Sequence, residues 1–579
     1  MNDAKTTRRA ALGLGAAGAL ACRKLAAQVA SRIEAAPRFV DRKRGLHPFT
    51  ASTTAARRPH IFLISVDMIS PDHWRPGRTM AGQVDLPAIR ALFNDSCFFT
   101  NAFSTSPLCA PARAALLTGR YSYILSNGER AHDGHETVLR ATDVIFPEYL
   151  KATGFTTKHA GKGHLGAQKF IDAFDENADT WDRWDPPIRS DERYLAYLTR
   201  LGVRPQRWSR EIRGLQQDRR SPGNSLGGWI AQSDGRPFPI EAQYSHYLAA
   251  EAIEKLDAAL TQSSGQPLYL QLDFFDPHQP FSIPDGFERR EQELRAAFHL
   301  PDSYNEVRRR DFHPDPAQPK IYDLYRKYWG LYEPRTVEDY RVANALQMEV
   351  VDRAVARLIR ALKDRGIYDD SVIVLTSDHG EMNGRQALVD KGVYLYPETL
   401  RVPLAIKLPK SSGASPRIVD TPVSHLDVAP TLLELAGIQS GERLDGQSLL
   451  PFMNGQASPG REVLFECGWH VGVNFACAFQ RRTPQGHHLY TYNASSEIDE
   501  LYDLDSPDPV NLAPSPAHRQ INSEMIAALG AVLERDPRWL GWWSPFRIDH
   551  YADLPKTSGD LQLQNAPKAR LNSRAFSEA

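Results

Sequence analysis

Three short runs constrain this chain more than any other feature. Ile61-Phe-Leu-Ile-Ser-Val66, Leu268-Tyr-Leu-Gln-Leu272 and Ser371-Val-Ile-Val-Leu-Thr376 are almost continuously apolar. A strand with one wet face alternates, so runs this apolar predict parallel strands buried on both faces. Between the last two runs, Val351, Val355, Leu358 and Leu362 recur at helical spacing, and Asp427 to Ala436 reads as another helix stopped by Gly437. The expected class is α/β: a large, mostly parallel or mixed central sheet flanked by helices. Each run also ends in chemistry, at Asp67, at Asp276-Pro277-His278 and at Ser377-Asp378-His379. Ligands of open α/β sheets bind at the C-terminal ends of strands, so these distant residues are expected to converge.

Beyond about residue 455 the pattern changes. Short β-prone runs (Val463–Phe465, Val473–Phe479, His488–Tyr492, Glu500–Leu504) precede a helical stretch near Ile521–Leu533. They predict a smaller antiparallel sheet with a packing helix, so 59–455 reads as the main domain and 456–579 as a C-terminal subdomain and tail. Two stretches rich in Trp, Tyr, Arg, Asp and Pro, 181–240 and 301–340, read as long surface excursions able to shape a pocket. Five cysteines (Cys22, Cys97, Cys109, Cys467, Cys477) are too few for a disulfide framework. A Cys467–Cys477 bridge is conceivable, but reduced, packed thiols are the expectation.

Charge separates the N-terminus from the rest. The net charge is −1, yet residues 1–60 hold twelve Lys/Arg against three Asp/Glu, leaving −10 on the remainder. Without a basic excess on the main body, a nucleic-acid partner is not expected. Thr7-Arg8-Arg9, the apolar run Ala10–Leu20 and Ala19-Leu20-Ala21 follow the order of a twin-arginine export signal, so 1–22 reads as a signal peptide and 23–58 as a linker. The run is too short to span a bilayer. Cys22 follows Ala21, but Ala19 is a poor lipobox residue, so a lipid anchor is not expected. The implied location is periplasmic or secreted.

The most specific motif is Cys109-Ala-Pro-Ala-Arg113, continued as Ala114-Ala-Leu-Leu-Thr-Gly-Arg120. A cysteine at a helix N-terminus meets the positive end of the dipole and free N–H groups, and Arg113 adds a cation one turn on. This stretch resembles the C-x-P-x-R signature of the formylglycine-dependent sulfatases of the alkaline-phosphatase superfamily. The resemblance implies that Cys109 is oxidised to formylglycine by a formylglycine-generating enzyme. It also implies one divalent cation (Ca, Mn or Mg) held by Asp67, residue 109, Asp378 and His379. Further matches follow in order. Gly161-Lys162-Gly163-His164-Leu-Gly166 resembles the family's G-K-W-H-L-G, with Gly163 replacing Trp; Asp276-Pro-His278-Gln-Pro280 resembles P-H-x-P; Asp390-Lys391-Gly392 follows at the family's spacing. Ser424-His425-Leu-Asp427 and Glu500-Leu-Tyr-Asp-Leu504 look like fold markers, with His425 and Asp427 as capping or packing groups, and Asn127 reads as a loop residue.

Two further positions depart from the family. Met68 stands where most sulfatases carry a second acid, as in the branch near phosphonate monoester hydrolases, and Gln386 stands where His is frequent. The implied activity is hydrolysis of a small-molecule or glycan sulfate ester. A hydroxyl of the hydrated formylglycine attacks sulfur, Arg113, Lys162 and Lys391 balance the transferring charge, and His278 with Lys391 protonates the leaving alcohol. His164 then deprotonates the second hydroxyl, which expels sulfate. A phosphonate monoester or phosphodiester hydrolase is the alternative with the same machinery, and a catalytically silent anion- or glycan-binding relative is the alternative of another class. Formylglycine is installed on unfolded chain whereas twin-arginine export carries folded protein, so modification and metal loading are expected before export.

Overall fold

The computed structural model describes residues 38–39, 49–51 and 58–535, except 79, 123–138, 140–141, 166–167, 176–179, 231, 234–235, 263–264, 457–460, 494–495 and 497. The proposed export signal, Cys22 and Asn127 lie outside the described residues. Nine strands form the central sheet: β1 Ile61–Val66, β2 Cys97–Phe103, β3 Thr156–Lys162, β4 Thr180–Trp181, β5 Leu268–Phe274, β6 Val372–Ser377, β7 Arg401–Lys407, β8 Arg417–Val419 and β9 Val423–Ser424. Their order is β8-β2-β7-β6-β1-β5-β3-β4, with β9 also on β2. The block β6-β1-β5-β3-β4 is parallel, and β7 runs antiparallel to both β6 and β2, so the sheet is mixed.

The apolar runs are central because they feed two cores at once. Phe62, Ile64 and Val66 of β1 pack on one face with Leu270, Leu272, Ile373 and Leu375; Ile61 and Leu63 pack on the other with Tyr269, Val372 and Val374. The first face is covered by the helices Tyr244–Gln262 and Pro334–Asp364, the second by Cys109–Thr118, Phe146–Ala152 and Val428–Leu435. Each such Leu or Ile contributes about 1.5–3 kcal/mol when fully buried. Among the described residues no helix is long and apolar enough to cross a membrane.

The C-terminal strands Val463–Trp469, Val473–Thr483, Gly486–Asn493 and Glu500–Asp503 form a sequential antiparallel sheet. The helix Arg519–Arg535 lays Met525, Ile526 and Leu529 over Phe479, Tyr490 and Tyr492. Cys467 and Cys477 are buried free thiols on neighbouring strands, offset because Cys477 faces Glu466 across the ladder.

Two expectations change. Within the stretch read as linker, Phe49–Ala51 is a strand paired with Ile438–Ser440, and Phe49 sits edge-on against Tyr149 at 5.3 Å. It is held because Phe49 and Ala51 bury on the sheet's second core. The 301–340 stretch is not a surface excursion. Its helices Asp302–Arg309 and Lys320–Trp329 bury Tyr304, Val307, Tyr322, Tyr325 and Trp329 in the main core, because their aromatics share one helical face. The 181–240 stretch is no surface excursion either: its helix Glu192–Arg200 and its hairpin, Trp208–Leu215 with Pro222–Ile230, bury Tyr194, Leu198, Ile212 and Leu226 in the main core.

Gly161 lets β3 close on β5. It adopts φ +106°, and a Cβ built there would overlap the backbone carbonyl of Asp273. Gly154 also has a positive φ of +90° but meets no backbone. Gly161→Ala is therefore expected to destabilise by about 3 kcal/mol or more, and Gly154→Ala by roughly 1–2 kcal/mol. Parallel thermal melts check this; equal shifts would contradict the close approach.

Candidate active site

Register builds the site. Thr376 pairs with Ser65 and Ser377 with Val66, so the next residues, Asp378 and Asp67, leave β6 and β1 at one level. On the other flank Phe274 pairs with Val66 and Asp273 with both Ser65 and Gly161. Asp67, Lys162, Asp273 and the loop carrying His278 thus reach the same sheet edge. The helix Cys109–Thr118 starts there, wholly buried, with Cys109 as its first residue and Leu108 capping without a side-chain bond. Its C-terminus is secured by Gly119 in the left-handed region and by Arg120 on Glu442 at 2.6 Å.

Arg113 sits among three buried carboxylates. Its guanidinium lies 3.0 Å from Asp378, 3.2 Å from Asp273 and 3.6 Å from Asp67, and donates to the Lys162 carbonyl at 3.0 Å. Asp273 also accepts from Gln271 at 2.6 Å and meets His159 Nε2 at 2.8 Å. The sequence reading missed Asp273; an acid closing an apolar strand was its signal. Lys162 is hydrogen-bonded to Asp67 and lies 5.9 Å from the Phe275 ring centre. His164 follows two residues beyond β3, buried, with φ +52° and its N–H on the Trp181 carbonyl at 3.2 Å.

Donor atoms of Asp67, Cys109, Asp378 and His379 all lie within 4.8 Å of one another. His379 Nδ1 contacts the Gly380 carbonyl at 2.9 Å, which leaves Nε2 facing Cys109 Sγ at 3.2 Å. Met68 takes φ +57°; its buried side chain adds no carboxylate, and its N–H donates to Asp378 at 3.0 Å. Burial, then the neighbouring Asp378, pushes the Asp67 carboxyl up to about 7, although Lys162 opposes this. Burial alone would lower His379, but the Asp378 carboxylate and the Cys109 sulfur raise it to about 9. One carboxylate oxygen of Asp67 has no hydrogen-bond partner. An orphaned carboxylate oxygen, a crowded acid pair and an available imidazole nitrogen together fit a divalent cation.

The other side of the site is a lysine–histidine pair. Lys391 Nζ lies 2.5 Å from His278 Nε2 and 3.1 Å from Asp390, while His278 Nδ1 meets the Gln279 carbonyl at 2.7 Å. Burial and then the Lys391 and Lys162 charges hold His278 well below the usual imidazole range, whereas Asp390 keeps Lys391 charged against burial. His278 is therefore the acceptor and Lys391 carries the proton. Gln386 leaves this chemistry altogether. Its side-chain oxygen accepts from Gln318 at 2.7 Å and its carbonyl from Arg326 at 2.9 Å, joining the loop to the 301–340 helices.

Residues 59–438 match the family model described as "Sulfatase", and 384–535 match "N-sulphoglucosamine sulphohydrolase, C-terminal". The chain belongs to the sulfatase family. This sulfatase is a sulfuric ester hydrolase with an alkaline-phosphatase-like fold. It is 27% identical over 474 residues to the choline-sulfatase of Rhizobium meliloti (strain 1021), covering 79% of this chain and 83% of that one. In fold it is similar to the phosphonate monoester hydrolase of Silicibacter pomeroyi (TM-score 0.62, 20% identity, 82% of this chain and 95% of that one). The phosphonate monoester hydrolase of Agrobacterium radiobacter is equally similar (TM-score 0.62, 22% identity, 83% and 96%).

Chelator-treated sulfatase is expected to gain thermal stability when Ca, Mn or Mg is returned, by about 2.7 kcal/mol at a hundredfold excess over Kd. Asp378→Asn should lose that gain. A cation-independent melt in both proteins would show that the cluster holds no ion.

Proposed function

We propose that this sulfatase hydrolyses sulfate esters with a formylglycine made from Cys109 as nucleophile and one divalent cation as cofactor. The observation that carries this reading is the seating of Cys109, first residue of a buried helix, against Asp67, Asp378 and His379. Bound by these residues, a divalent cation supplies positive charge that lowers the pKa of a hydroxyl on residue 109. The hydrated aldehyde of formylglycine provides that hydroxyl, and a formylglycine-generating enzyme is then a required partner.

The chain's own residues do the rest. Arg113 holds the Asp67 and Asp378 carboxylates in place. Lys162 and Lys391 place two ammonium charges where a sulfuryl group must bind, which stabilises charge on its oxygens in the transition state. Lys391, hydrogen-bonded to His278, donates to the departing alcohol oxygen, and His278 fixes the direction of that donor. His164, just beyond Lys162, takes the proton of the second hydroxyl of residue 109, which releases sulfate and restores the aldehyde.

A second reading, a phosphonate monoester or phosphodiester hydrolase with the same machinery, is favoured by Met68, which leaves the cluster one carboxylate short of the usual set. Comparing kcat/KM for 4-nitrophenyl sulfate and for a 4-nitrophenyl phosphonate monoester separates the two. A strong preference for the phosphonate would overturn the first reading.

Mass spectrometry of the tryptic peptide Ala91–Arg113, from a host that modifies C-x-P-x-R sites, is expected to find formylglycine at position 109. Cys109→Ala should lose at least about 1,000-fold in kcat, the scale on which removing an essential nucleophile acts. Unmodified thiol in active enzyme would refute the nucleophile. His278→Asn is expected to lower kcat/KM about 100-fold for an alkyl sulfate and much less for 4-nitrophenyl sulfate, whose leaving group needs no proton. Equal losses on both substrates would assign His278 to structure alone.

A further inference from the structure

Trp184 is held in the open beside the acid-base pair. It is 47% exposed, one of few large hydrophobic side chains left so among the described residues. Its ring centre lies 5.7 Å from that of His278, at 48° to it, and His278 is in turn bonded to Lys391. The loop around it is braced at both ends. The Trp181 carbonyl accepts from the N–H groups of Gly163 and His164 at 2.7 and 3.2 Å. Arg183 chelates Asp185 at 2.9 and 2.7 Å, and Pro186 and Pro187 follow directly. A half-exposed indole beside His278 offers a flat apolar face to a bound molecule. On the 301–340 side, Tyr328 is 41% exposed, and its hydroxyl feels the charges of Asp390 and Lys391.

The position says which part of a substrate reaches the indole. Sulfate oxygens belong with Lys162 and Lys391, and the leaving alcohol departs past His278. The group beyond that oxygen therefore lies against Trp184. A flat indole covers a ring face well, through π contact or C–H packing. An open-chain alkyl group covers less of that face than a ring does.

Resting on the sulfate-ester reading, we propose that Trp184 is a specificity-determining residue that stacks on a ring carried by the leaving alcohol. This sulfatase then acts on aryl or pyranosyl sulfates in preference to open-chain alkyl sulfates.

The test uses the formylglycine-containing, cation-loaded enzyme. It measures kcat/KM for phenyl sulfate, glucose 6-sulfate, choline O-sulfate and ethyl sulfate in the wild type, Trp184→Ala and Trp184→Phe. Trp184→Ala is expected to cut the ratio of a ring-bearing sulfate to ethyl sulfate about 10-fold, the scale of one lost stacking contact, and Trp184→Phe to restore most of it. Whether phenyl sulfate or glucose 6-sulfate moves more identifies the ring. An unchanged ratio, an equal loss on ethyl sulfate, or a loss largest for choline O-sulfate would overturn the proposal. If the wild type releases no sulfate but cleaves phosphonate monoesters, the sulfate reading has failed. The phenyl-to-ethyl ratio on those esters then judges Trp184 separately.

Discussion

The site depends on one guanidinium. Arg113 is buried among Asp67, Asp273 and Asp378 and faces all three carboxylates with one positive charge. Breaking a buried ion pair by removing one partner costs about 3–5 kcal/mol, because it strands a charge away from water. Here one removal would leave three carboxylates short of a cation, with Lys162 remaining on Asp67 alone. Arg113 thereby ties the helix that presents Cys109 to β1, β5 and β6 together, and the geometry of the Asp67, Cys109, Asp378 and His379 cluster follows from those ties. The four-residue spacing of Cys109 and Arg113 is thus a structural requirement. Four residues after Cys109, one helical turn on, the side chain lies over the same sheet edge.

A second ionic network fixes the loop that carries Lys391. Asp72, just after β1, takes a two-pronged pair from Arg385 at 2.6 and 2.8 Å and a hydrogen bond from Asn383 at 3.0 Å. Burial would raise the Asp72 carboxyl, but Arg385 holds it far below the usual range. Arg385 also approaches Asp508 at 3.5 Å, so the C-terminal segment braces the same loop. This restraint matches the backbone, in which Asn383, Gln386, Ala387 and Asp390 all adopt positive φ. Non-glycine residues persist there only where their surroundings over-determine them, and the outcome is a lysine fixed at 2.5 Å from His278.

Much of this was readable along the chain. The apolar runs named three central strands and, at their ends, Asp67, His278, Asp378 and His379, because strand ends place short motifs predictably; the resemblance to the sulfatases named Cys109, Arg113, Lys162 and Lys391. The partners were not readable. Asp273 meets Arg113 across 160 positions and Arg385 meets Asp72 across 313, and no local pattern records a pairing at that separation. The 301–340 stretch misled for a related reason. Its aromatics and charges look like surface until its helices lay their buried face on the core.

The sequence by itself determined the class of sheet, the edge at which chemistry gathers and the residue types that do it, since these follow from hydrophobic period and short-range spacing. Tertiary structure decided the states of those residues. It made His278 an acceptor and Lys391 the proton holder, raised Asp67, turned Gln386 into a strut and set Trp184 beside His278. Protonation and orientation depend on burial and on charges within a few ångströms, and only the folded chain brings those neighbours together.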